Sequence, residues 1–141
     1  MTGAEDHNIV IYVRHMPATE VRAFRDFDGT VPIQEWLDVL EEREPKVHAK
    51  CLARILELAE KGYELRRPLV DMLRDGIREL RVSYAGAHYR ILYFFCGKNA
   101  VTLSHGIMKE GRVPDKEVEL AVERMRLVEK SPDRYTANMG R

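Results

Sequence analysis

The stretch from Gly76 to Lys109, GIRELRVSYAGAHYRILYFFCGKNAVTLSHGIMK, constrains the fold more than any other part of the chain. Three runs rich in β-branched and aromatic residues lie in it: Ile77 to Tyr84, His88 to Phe95 and Ala100 to Ile107. The breaks between them, Ala85-Gly86-Ala87 and Cys96-Gly97-Lys98-Asn99, are short and contain glycine, which is a hairpin signal. The stretch therefore predicts a three-stranded antiparallel meander. Successive residues of a strand point to opposite faces, so Leu80, Val82 and Tyr84 oppose Glu79, Arg81 and Ser83, the pattern of a half-buried strand. In the second run Tyr89, Ile91, Tyr93 and Phe95 alternate with His88, Arg90, Leu92 and Phe94. Both faces are largely apolar there, which predicts a central strand. Arg90 stands out, because a guanidinium in such a strand needs a carboxylate partner, a solvated cleft or an anionic ligand.

The flanks supply helices. Pro32 suits a first helical position, and Ile33, Trp36, Leu37 and Leu40 follow helical spacing as far as Arg43 or Glu44. After Pro45 a second amphipathic helix is expected from about Lys46 to Lys61, with Gly62 just past its end, so the pair reads as a helical hairpin. Pro114 repeats the proline start for a last helix ending near Lys130. Valine precedes Pro32 and Pro114, where a capping side chain would be usual. Asn8 to Arg14, NIVIYVR, predicts an additional edge strand, and residues 15–31 and 63–75 read as connections with at most a turn of structure. Residues 1–7 and 131–141 read as loose ends. The expected fold class is α+β: a small antiparallel sheet, the meander plus an N-terminal strand, packed with an N-terminal helical hairpin and a C-terminal helix in a single domain over 1–141.

Composition narrows the function. The N-terminus carries acids where a secretory signal would be basic and then apolar, and no apolar run approaches 18 residues, so a cytoplasmic protein without membrane association is expected. Cys51 and Cys96 form neither a disulfide framework nor a metal spacing. No phosphate-binding loop, dinucleotide fingerprint, zinc-protease motif or nucleophile elbow occurs, which disfavours nucleotide-dependent and zinc chemistry, and no cofactor or metal is expected. Net charge is zero, but residues 1–45 hold 4 basic and 10 acidic side chains, whereas residues 61–98 hold 8 and 4. An anionic partner should therefore meet the sheet and the segment leading into it.

The polar side chains on or beside the predicted sheet are Glu79, Arg81, His88, Tyr89, Arg90, His105, Lys109 and Arg112. Cleavage of a phosphodiester by its own 2′-hydroxyl needs a base, cations for the phosphate charge and an acid for the leaving oxygen, and such groups can supply these without a metal. For Arg90 and Arg81 the alternative is a structural ion pair, for Lys109 a solvated strand end, for His88 and His105 alike a packed or surface position, and for Tyr89 a place in the core or at its rim.

The residues Gly76-Ile77-Arg78-Glu79-Leu80-Arg81, Tyr89-Arg90-Ile91-Leu92-Tyr93, His105-Gly106-Ile107-Met108-Lys109 and Pro114 resemble, in order and spacing, the pattern G-L-W-E-L-R, Y-R-I-L-Y, H-G-F-x-K-K, T-P of the HigB branch of RelE-type toxins, which includes phage-derived toxin-like proteins. The likeness covers about residues 35–130. It implies a RelE-like fold and an endoribonuclease that cleaves messenger RNA, commonly on the ribosome, and is neutralised by an antitoxin with a helix-turn-helix fold. It implies that Arg90 contacts the scissile phosphate, with Arg81 and Lys109 as further catalytic cations; Glu79, Tyr89, His105 and Arg112, from their place on or beside the sheet, are the candidates for substrate binding. Arg78, Glu110 and Val113 depart from the pattern, standing where an aromatic residue, a second lysine and a threonine are usual. The alternative is an inactive member of the fold that acts through a partner in transcriptional regulation.

Overall fold

The computed structural model describes residues 19–97 and 99–139. In chain order these form β1 (Glu20–Phe24), α1 (Pro32–Arg43), α2 (Pro45–Lys61), a 3-10 turn (Gly62–Glu64), β2 (Val70–Met72), β3 (Arg78–Tyr84), β4 (Ala87–Phe95), β5 (Ala100–Met108), α3 (Asp115–Lys130), α4 (Pro132–Tyr135) and β6 (Thr136–Asn138). The strands make one sheet in the order β2-β3-β4-β5-β1-β6. The expected meander is its centre, with β3 antiparallel to β4 and β4 antiparallel to β5. The first hairpin is tighter than the sequence suggests: Ala87 pairs with Tyr84, leaving Ala85 and Gly86 as a two-residue turn, both at positive φ (51° and 83°). That backbone matches the twist of the flanking strands, and glycine adopts it without the steric cost that an alanine bears.

The sheet is larger and less uniform than expected. Residues 20–24, within a presumed connection, form β1, which pairs parallel to β5 through Glu20–Ala100 to Ala23–Leu103. Val70–Met72, within the other connection, pairs antiparallel to β3 as the edge strand β2. The presumed loose tail contains α4 and β6, and β6 closes the far edge against β1 while Tyr135 stacks on Phe24. The architecture is thus α+β with a six-stranded mixed sheet in place of a four-stranded antiparallel one. The proposed strand at Asn8–Arg14 lies outside the described residues.

The proline-started helices stand where their periodicity puts them. Val31 caps α1 without a side-chain bond, and Gly62 follows α2 at φ 54°. At α3 the helix begins one residue later than expected: Pro114 is the extended cap and accepts the Glu117 amide.

Two cores flank the sheet. On one face Leu37, Val47, Cys51, Ile55 and Leu58 of the hairpin α1–α2 pack on Leu80, Val82, Ile91, Tyr93, Val101 and Leu103. On the other, Val118, Ala121, Val122 and Val128 of α3 cover Phe24, Ile77, Leu92 and Phe94. β4 is therefore sandwiched, which explains its double apolar alternation. Because α3 covers Leu92 and Phe94, the half of that face carrying Arg81, His88 and Arg90 stays open as a cleft.

Candidate functional site

The cleft measures about 830 Å³ and is bordered by β2, β3, β4 and the segment after β5. Arg81 and Arg90 are direct cross-strand partners, so their side chains leave the same face of the sheet together. Between them stands Glu79. Arg90 Nη1 donates to Glu79 Oε1 at 2.9 Å, and Arg81 Nη2 donates to Glu79 Oε2 at 3.3 Å and to Asp71 Oδ2 at 3.2 Å. The Glu79 side chain is 3% exposed, that of Arg90 10% and that of Arg81 39%. The carboxylate is a buried anchor, whereas Arg81 reaches into the cleft.

Asp71 extends the network outward, accepting from Arg67 Nε at 2.9 Å. Burial pushes its carboxyl up, but the hydrogen bond and charge of Arg67, the Met72 amide and the Arg81 charge outweigh this and hold it below the ordinary 3.8. Two carboxylates thus face the guanidiniums of Arg67, Arg81 and Arg90, which leaves one positive charge in excess. Arg112, exposed at the rim, adds another and has no ion-pair partner among the described residues. His88 lies on the same face beyond Arg90, with Nδ1 3.0 Å from Ser83 Oγ across the hairpin and Nε2 3.9 Å from Glu110.

The cleft therefore gathers Glu79, Arg81, Arg90 and Arg112 of the residues named from sequence, and His88 with them. Tyr89 borders it, but the ring is buried edge-on against Trp36, with centroids 6.4 Å apart, and is not available to stack on a base. Lys109 is exposed and donates its amide to His88 O, and its side chain is not among those lining the cleft.

His105 is displaced by a β-bulge. Leu92 pairs with His105 and Tyr93 with Leu103, so Ser104 is an extra residue on β5. Ser104 and His105 consequently both turn toward α3, where His105 is buried with Nδ1 2.7 Å from Ser104 Oγ and Nε2 3.0 Å from Glu117 Oε1. Burial and the Arg124 cation lower the imidazole below its ordinary 6.5 against the opposing pull of Glu117. The residue ties a helix to the sheet and does not face the cleft. Asp71, Ser83 and Arg54 were not anticipated as lining residues; Arg54 joins by donating Nε to Arg81 O at 3.2 Å.

Among the described residues no helix is long and apolar enough to cross a membrane. No curated protein matches the chain. Residues 35–126, well over half of the sequence and including both arginine-bearing strands and most of α3, match the family described as Phage derived protein Gp49-like (DUF891), and the chain belongs to this toxin-like family.

Proposed function

We propose that the protein is a metal-independent endoribonuclease toxin, which cleaves messenger RNA, commonly on the ribosome, and is held inactive by a helix-turn-helix antitoxin. The observation that carries the reading is the excess of guanidinium around one open cleft: Arg81 and Arg90 side by side and Arg112 at the rim. The scissile phosphate binds Arg81 and Arg112 from outside. Arg90, engaged through one Nη by Glu79, directs its remaining donors along the same face. In the reaction the 2′-hydroxyl oxygen attacks phosphorus, the bond to the 5′-oxygen breaks, and the guanidiniums take up the charge that develops on the phosphoryl oxygens. Glu79 is enclosed and both its oxygens already accept from arginines, so the proton-transfer role falls to His88, steadied by Ser83.

Purified protein should arrest translation and cut ribosome-bound messenger. Arg90→Ala should lose at least about 2.7 kcal/mol of transition-state stabilisation, the scale of one oxyanion donor. Because it removes the donor from one oxygen of a buried carboxylate and leaves only Arg81 on the other, it should also lose about 3 kcal/mol of stability, read by urea denaturation. Arg112→Ala separates the two effects, since the side chain is exposed: cleavage should fall roughly tenfold, about 1.4 kcal/mol, while the denaturation midpoint stays put. Undiminished cleavage in both variants rules the mechanism out.

The buried Arg90–Glu79 pair also suits a second reading, a fold kept for partner binding without chemistry. Normal growth on expression without the antitoxin, with a stable complex when both are present, favours it.

A further inference from the structure

On the opposite side of the edge strand β2 lies a second hollow of about 380 Å³, at the end of the sheet, with an aromatic and a cationic wall. The rings of Tyr63, in the turn after α2, and Phe95, at the end of β4, stack with centroids 3.6 Å apart and planes 9° from parallel. The guanidinium carbon of Arg78 is 5.2 Å from the Tyr63 centroid and 5.0 Å from that of Phe95. Near-equal distances to two eclipsed rings place it beside the stack, level with the gap between them, and not over the outer face of either. The outer face of Tyr63 is accordingly not covered by Arg78, and the residue is 52% exposed. The one carboxylate lining the hollow, Asp75, is held by Arg74 at 2.7 Å, which leaves Arg78 without a counter-ion among the described residues.

We propose that Tyr63 and Arg78 form a nucleotide subsite that takes an unpaired nucleotide flanking the cleft, its base stacked on the outer face of Tyr63 and its phosphate bound by Arg78. The proposal rests on the reading of the cleft as an RNA site. Every base offers a π-face to an aromatic platform, so such a site reads no sequence, and a guanidinium held beside the ring is placed for the phosphate of the same nucleotide. The two hollows meet at β2: both are lined by Met72 and Leu73, and Arg78 stands three positions before Arg81 on β3, about 10 Å along the strand and on the opposite face of the sheet. A strand leaving the cleft round β2 reaches Tyr63 within a few nucleotides. Arg78 is one of the positions at which the chain departs from the toxin pattern, so the subsite is a feature of this chain.

The test is fluorescence anisotropy on the full chain with a labelled 2′-O-methyl oligoadenylate of about eight nucleotides, which binds as RNA but lacks the attacking hydroxyl. Tyr63→Ala should weaken binding about tenfold and Tyr63→Phe should bind as wild type. Arg78→Gln, which leaves the aromatic stack intact, should weaken binding and reduce the slope of log affinity against log salt by about 0.7. A labelled trinucleotide should bind wild type and Tyr63→Ala alike. If Tyr63→Ala and Arg78→Gln bind the longer oligomer as wild type while Arg112→Ala weakens it, the subsite is overturned and the cleft reading stands. If the wild type does not bind the oligomer, both are overturned.

Discussion

His105 shows what a single inserted residue does to the chemistry available to this fold. Arg124 Nη1 donates to Ser104 O at 3.1 Å and reaches Ser104 Oγ at 3.5 Å, which leaves the serine hydroxyl proton for His105 Nδ1 at 2.7 Å. On that network the ring proton sits on Nε2, aimed at Glu117. The neutral imidazole is the form the site holds, because burial first and the Arg124 charge second lower its pKa from 6.5. Between 6.5 and that lower folded value the unfolded chain binds a proton that the folded chain does not. Stability is therefore fully present above pH 6.5 and is lost as pH falls through the window. Thermal denaturation at about pH 7.5 and about pH 5.5 should show a fall in Tm that is smaller in His105→Gln than in wild type. Equal falls in the two proteins would mean that the imidazole is not linked to folding. The same residue type at position 88 has no such enclosure and keeps its side chain in the cleft.

At the level of elements, what could be read from sequence was whatever is long enough to show a period. β3, β4 and β5 run seven to nine residues and α1, α2 and α3 twelve to seventeen, and each lies within a residue or two of its expected bounds. β2 and β6 have three residues and β1 five, too few for an alternation to stand out, and they are strands because a neighbour offers unpaired backbone groups. The arginines of the cleft were visible because a charge in an apolar alternation is conspicuous, and Asp71 was not, because its strand was not. The bulge at Ser104 has no mark in the sequence, and without it strict alternation would turn His105 toward the hairpin. One consequence of the bulge concerns Gly106, which now faces α1 so closely that an added Cβ would fall within the ring system of Trp36. Gly106→Ala should therefore cost about 1–3 kcal/mol by urea denaturation, and adding Trp36→Leu should recover part of that loss. An unchanged midpoint in the single variant would show that Trp36 moves aside freely.

Across the whole molecule, a net charge of zero hides a division that the fold turns into a local excess of cations. Residues 61–98, with 8 basic and 4 acidic side chains, supply β2, β3 and β4, which together build most of the cleft and of the neighbouring hollow. Long-range attraction of a polyanion depends on local excess and not on the total, so a neutral protein can still bind RNA through one face. The internal carboxylates limit how far this goes: Glu79 and Asp71 absorb most of the charge of Arg90, Arg81 and Arg67, and the cations left for phosphates are few. If Arg81, Arg112 and Arg78 each neutralise one phosphate, log affinity for single-stranded RNA should fall with log salt at a slope of roughly −2. A chain whose whole surface acted as a polycation would give a much steeper line, and a chain binding through apolar contacts a flat one. Arg112→Ala should bring the slope to about −1.4, whereas Lys116→Ala, which lines neither the cleft nor the neighbouring hollow, should leave it unchanged. A Lys116 effect as large as that of Arg112 would place the RNA on the outer surface of α3 and remove the cleft as its binding site.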